Sequence, residues 1–154
     1  MEYKCEILEK TQQPILSIRS RTSVQDLPKV IGAVYGRLGA YLSEIGEYPV
    51  GAPFAAYYNM DMHDLDVEIG FPVARMLPAS GEIQSSEIPA GEYATCHYTG
   101  TYQDIGPAYE ALTQFIQQRG RQPSGVAYEY YLNDPTETPP EELQTSIVFP
   151  LITA

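Results

Sequence analysis

The residue whose chemistry stands out is Glu129, set in the run Tyr128-Glu129-Tyr130-Tyr131. Strand neighbours alternate between faces, so Glu129 and Tyr131 share one face while Tyr128 and Tyr130 share the other. Burying such an acid without a partner costs several kcal/mol. It therefore faces solvent, faces a groove, or has a partner. A groove-facing carboxylate among tyrosine rings suits a cation, because the ring faces and the acid attract the same charge. Glu68, in Asp66-Val67-Glu68-Ile69-Gly70-Phe71-Pro72, is the second candidate. Its counterpart in the internal repeat described below is Ser146, so the repeated architecture does not demand an acid there; the plain alternative is a solvated strand residue.

Other clusters carry less. Asp61, His63, Asp64 and Asp66 form an acidic stretch, but it lacks the glycine and the terminal bidentate Glu of a calcium hand and reads as a polar hairpin turn. Neither His63 nor His97 has a serine or cysteine nucleophile placed near it by sequence, so no triad can be argued. There is no glycine-rich phosphate loop and no HExxH. Cys5 and Cys96 could in principle pair, but they belong to no CxxC or Cys/His cluster, and two cysteines in a domain that can build its own core read as free, buried thiols of a reducing compartment. No metal and no cofactor is expected, and no catalytic residue is assigned. The balance leans away from an enzyme; Glu129 would be the acid or base if there were one.

Composition narrows the partners. A chain of 154 residues, 44% hydrophobic and 19% charged, can build its own core, and one soluble domain spanning 1–154 is expected. Nine basic against twenty acidic side chains give a net charge of −11, which repels phosphate backbones and argues against direct nucleic-acid binding. No stretch approaches the roughly 20 apolar residues of a membrane helix. The start, Met1-Glu2-Tyr3-Lys4-Cys5-Glu6, lacks the basic-then-apolar order of a secretory signal, so a cytoplasmic location is expected. Tyrosine is over-represented, with 13 Tyr against four Phe and no Trp. A rigid ring with a polar tip suits a pocket for flat or lipophilic molecules.

The elements that must position these residues come in two copies. Thr22-Ser23-Val24-Gln25-Asp26-Leu27 matches Gly100-Thr101-Tyr102-Gln103-Asp104-Ile105; Tyr35, Leu38, Tyr41 and Leu42 fall on Tyr109, Leu112, Phe115 and Ile116; Phe71-Pro72-Val73 falls on Phe149-Pro150-Leu151. The repeats cover about 1–78 and 79–154. The first helical stripe runs Leu27, Val30, Ile31, Val34, Tyr35, Leu38, Tyr41, Leu42 and Ile45, with Asp26 as N-cap and Gly46 as terminator. The second runs from Ile105 to Ile116, with Asp104 as N-cap and Gly120 as terminator. Gly32, Gly36 and Gly39 inside the first helix call for compensation, most simply close helix-on-sheet packing. Strands are expected at 3–9, 14–21, 54–60, 66–74, 82–88, 92–99, 126–132 and 144–152. The fold class is α+β: duplicated βαββ units with pseudo-twofold symmetry, an antiparallel sheet with both helices on one side, and a ligand groove between the halves.

These residues together resemble the GyrI-like small-molecule-binding family, also met as the effector-binding domain of AraC-type and MerR-type transcription regulators. The resemblance runs from about Tyr3 to Ile152 and is clearest at Pro53-Phe54-Ala55-Ala56-Tyr57-Tyr58-Asn59, at Asp64 through Val73, at Ile88-Pro89-Ala90-Gly91-Glu92-Tyr93-Ala94 through Tyr98-Thr99-Gly100-Thr101-Tyr102 and at Tyr128 through Pro135. It implies a groove for lipophilic, often cationic compounds with a strand glutamate at its floor, a position that Glu129 matches. The candidate ligand-binding residues are Glu129, Tyr131, Tyr58, Tyr93, Glu68 and Phe149. No helix-turn-helix precedes the first strand, so a stand-alone drug sequestrant or sensor is expected rather than a direct regulator. Two alternatives stand beside it: hydrolysis of cyclopropanoid or similar electrophilic toxins through the pocket glutamate, and a gyrase-inhibitor-like interaction in which the negative charge imitates nucleic acid. The expected partner is a small hydrophobic or cationic molecule, with no membrane and no direct nucleic acid; a protein partner or a homodimer is left open.

Overall fold

The computed structural model describes residues 3–152; the ends of the expected domain, residues 1, 2, 153 and 154, lie outside them. The elements in chain order are β1 (Cys5–Lys10), β2 (Gln13–Thr22), α1 (Leu27–Ile45), β3 (Phe54–Tyr57), β4 (Leu65–Pro72), β5 (Gln84–Ile88), β6 (Gly91–Thr99), α2 (Gly106–Gln118), β7 (Ala127–Tyr131) and β8 (Gln144–Pro150). The fold is α+β. Contacts group the chain into two compact units: one runs from Thr11 to Ala90, and the other joins the chain up to Lys10 to the chain from Gly91 onward.

In the Thr11–Ala90 unit the strands stand in the order β3-β4-β2-β5, all antiparallel. α1 covers one face of this sheet. Tyr35 of α1 stacks on Phe71 with ring centroids 5.3 Å apart, and Val34, Leu38 and Leu42 are buried with Leu16, Ile18, Val67 and Ile69. The second unit has the order β1-β6-β8-β7, again antiparallel. Its helix α2 buries Ala108, Leu112 and Ile116, as Ala94, Cys96 and Ile147 are buried in its sheet. The strand leading into each repeat pairs with the other repeat: β1 with β6, and β5 with β2. The central strands are shielded on both faces, since Ile15 through Ile18 and Tyr93 through Cys96 are consecutively buried. Strict alternation would have left every second residue wet.

Helix ends follow the sequence in part. Asp26 stands at the N-cap of α1 but makes no side-chain cap hydrogen bond, and Pro28 in the first turn fixes the start instead. Gly46 closes the helix at φ 71°, a left-handed turn that favours glycine, and the Glu47 N–H reaches back to the Leu42 carbonyl at 2.9 Å. The expectation for Asp104 fails. Tyr102–Asp104 form a separate 3-10 turn, Asp104 accepts from the Thr101 hydroxyl at 3.0 Å, and α2 begins after Ile105 with Pro107 in its first turn.

The expected packing role of the α1 glycines is overturned. A Cβ built at Gly32, Gly36 or Gly39 meets nothing within 4 Å, and all three are exposed. The close approach is at Gly70 in β4, where a Cβ would lie 2.5 Å from the Leu16 carbonyl and 3.0 Å from the Phe54 ring. Among the described residues, no helix is long and apolar enough to cross a membrane.

Gly32→Ala and Gly36→Ala should therefore each stabilise the protein by about 0.5–1 kcal/mol, read as a higher urea midpoint at unchanged slope. Gly70→Ala should lower the midpoint.

Candidate functional site

Glu129 lies in β7 opposite Ile147 of β8, and Ile147 in turn lies opposite Cys96 of β6. This row points to the face that α2 covers, because Tyr109 of α2 reaches the Glu129 carboxylate. The Tyr109 hydroxyl donates to Oε2, and the Tyr131 hydroxyl donates to Oε1 at 2.9 Å. Aromatic rings complete the surroundings: Tyr109 lies 5.7 Å from Phe149, and Tyr102 meets Tyr131 edge-on at 5.6 Å. Thr145, directly opposite Tyr131, is fully buried, and its Oγ1 has no hydrogen-bond partner among the described residues.

Among the described residues the acid has no paired cation. The described ion pairs sit on Arg19, Arg21, Arg37, Arg75 and Arg121, and none involves Glu129. Glu129 keeps part of its surface exposed, yet the packing around its carboxyl raises its pKa above the ordinary carboxylate value, and the two phenol hydrogen bonds offset only part of that rise. The fold does not require the acid. Aligning Phe71 with Phe149 sets Ile69 on Ile147, and their strand partners are then Ala55 and Glu129. In the other unit a fully buried alanine fills the same place.

The structure brings Glu129, Tyr131 and Phe149 into one cluster. Tyr58 and Glu68 form another in the Thr11–Ala90 unit, on the sheet face away from α1. There Glu68, 8% exposed, accepts from Ser17 Oγ and from Tyr58 Oη, each at 2.5 Å. Arg19 lies 3.9 Å over the Tyr58 ring while its guanidinium holds Asp66 through two bonds of 2.8 Å. Tyr93 is elsewhere again, on the face of the second unit's sheet away from α2. The Lys10 ammonium lies 5.8 Å from its ring and 5.1 Å from that of Tyr130.

The stretch around Asp61 is the β3–β4 hairpin turn: Asp61 accepts from the His63 N–H at 3.0 Å, and Asp64 is clamped by Arg21. Two site residues escaped the sequence, Tyr109 and Tyr102. Tyr109 was counted as core in the helical stripe, yet a buried tyrosine hydroxyl calls for a partner, and a strand acid facing that helix could supply it.

Residues 3–152 match the family of GyrI-like small molecule binding domains. The chain belongs to that family. In fold it is similar to the C-terminal domain of EcmrR, at 21% identity and a TM-score of 0.84 with both chains fully covered. Against EcmrR in the EcmrR-DNA complex of EcmrR-RPo the TM-score is 0.85 at 21% identity; there 99% of this chain matches, spanning 58% of that chain's length. A hydrolase from Listeria innocua is similar at 15% identity and a TM-score of 0.75, covering 97% of this chain and 92% of its own. SAV2435, solved bound to tetraphenylphosphonium, is similar at 12% identity and a TM-score of 0.62, with 99% and 94% covered. No curated protein matches the sequence.

The raised carboxyl makes the stability of this GyrI-like domain depend on pH. A carboxyl whose folded pKa is raised holds its proton more tightly in the folded state, so stability is greatest below the unfolded value and falls as pH rises through the folded one. Glu129→Gln should remove that fall, leaving the variant more stable than the wild type at neutral pH. Thermal unfolding across a pH series reads the difference, and a parallel pH profile in the two proteins would contradict it.

Proposed function

We propose that this domain binds small lipophilic cations through Glu129, as a sequestrant or sensor. One observation carries the reading: a carboxylate fixed by two phenol hydroxyls among aromatic rings, with no cation paired to it among the described residues. Both oxygens are oriented and charge is disfavoured by burial, so a cation entering the cluster gains a counter-ion that already has its geometry. Tyr131, Tyr109, Tyr102 and Phe149 supply ring surface, and Thr145 Oγ1 offers an unused hydrogen bond. Glu68 with Tyr58, and Tyr93, lie outside this cluster and are proposed as separate ligand contacts. The fold-level likeness to SAV2435, which holds tetraphenylphosphonium, supports this ligand class. The likeness to EcmrR, solved in a complex with DNA, supports a sensing role.

A second reading draws on the same carboxyl. Its raised pKa beside two hydroxyls is what a general acid or base requires, and a hydrolase shares the fold.

Titration with a fluorescent lipophilic cation, competed by tetraphenylphosphonium, should give saturable binding that weakens about tenfold or more in Glu129→Gln, the loss of one charge-assisted contact. The neutral triphenylphosphine oxide should be indifferent to the substitution. Equal cation affinity in the two proteins would sink the proposal. Recovery of an electrophilic probe after incubation, by mass spectrometry, separates binding from turnover.

A further inference from the structure

Both cysteines are free thiols, as the sequence suggests, but only Cys96 is buried; Cys5 is half-buried. Their placement says more. Cys5 in β1 and Cys96 in β6 are direct cross-strand partners, so their side chains leave the sheet on the same face. The α-carbons of directly opposed antiparallel residues are about 4.5–5.5 Å apart, inside the range of roughly 4.4–6.8 Å over which a disulfide closes without backbone movement. The two thiols differ in access. Cys5 is half-buried, whereas Cys96 is fully buried and its thiol is pushed up to about 12 by burial and by the Cys5 thiol beside it. β1 is the edge strand of its sheet, with β6 as its neighbour there.

We propose that Cys5 and Cys96 are a redox modification site that closes reversibly into an intrachain disulfide, stapling β1 to β6. The oxidant class is a low-molecular-weight disulfide such as oxidised glutathione. The Cys5 thiolate attacks one of its sulfurs and expels a first thiolate, leaving a mixed disulfide on Cys5. The Cys96 thiol loses its proton and attacks the Cys5 sulfur, expelling the second. Two protein thiols are oxidised, one small disulfide is reduced to two thiols, and the two protons pass to the departing thiolates. Access sets the order, since Cys5 can be reached and Cys96 can resolve. The site lies in the same lateral row as Glu129, with Ile147 between them.

The test equilibrates the full chain in glutathione buffers of stepped ratio, traps remaining thiols with an alkylating agent, and reads intact mass and non-reduced peptide maps. The expected product is a monomer two hydrogens lighter, with no alkylated cysteine, no glutathione adduct and a Cys5–Cys96 cross-linked peptide. It should melt several degrees higher than the reduced chain. Cys96→Ser should stop at the mixed disulfide on Cys5, and Cys5→Ser should stay largely unreacted while folded. Should either variant fail to fold, the wild-type peptide map alone decides. A persistent glutathione adduct on wild-type Cys5, an interchain dimer, or a dithiol that survives where an unstructured dithiol peptide is oxidised would each overturn the proposal.

Discussion

The carboxylate of Glu129 is held by two phenolic hydroxyls and, among the described residues, by no cation, and the chemistry of the site follows from that imbalance. Hydrogen bonds orient both oxygens and recover part of the charge's lost hydration, while burial keeps the charged form unfavourable. A basic side chain in the same place would neutralise the acid and close the site. The chain instead places its described arginine pairs elsewhere, on Asp64, Asp66, Glu47, Glu82 and Glu92. Ala55 at the matching position of the other unit shows that the same sheet closes without an acid. Glu129 is thus an addition to the fold rather than one of its supports.

The secondary structure serves this arrangement directly. β7 pairs with β8 in a register that turns Glu129 and Tyr131 to one face, and α2 lies over that face with Tyr109 inside hydrogen-bond reach. Buried Ala108, Leu112 and Ile116 fix the rotation of α2 about its axis, and so fix where the Tyr109 hydroxyl falls. Glu68 illustrates a different use of a buried acid. Its oxygens are taken up by Ser17 and Tyr58 across and along the sheet, and the neighbouring Arg19 is committed to Asp66.

Much of this was legible in the residues. Period-two alternation told which residues flank Glu129, helical stripes located both helices, and the matched repeats predicted duplicated βαββ units with an antiparallel sheet. The exchange of β1 and β5 was not legible, because hairpin propensity describes neighbours in sequence and both strands pair with partners distant in it. Asp104 misled because an acid before a helical stripe looks like a cap, whereas Pro107 determines where the helix can begin. The α1 glycines misled for a related reason: a costly residue implies compensation, and composition cannot say that the compensation is absent. Tyr109 was hidden by its period, since a tyrosine in an apolar stripe reads as core until the acid it meets is known.

The central claim is that an entering cation takes Glu129 as its counter-ion, and proton release tests it most directly. Calorimetric titration of tetraphenylphosphonium in buffers of different ionisation enthalpy, just above the ordinary carboxylate range, counts the protons that leave on binding. A carboxyl raised by burial and then paired with a cation should release a fraction of a proton per ligand, declining as pH rises, and Glu129→Gln should release none. Binding without proton release at any pH in that window, or equal release from the variant, would contradict the account.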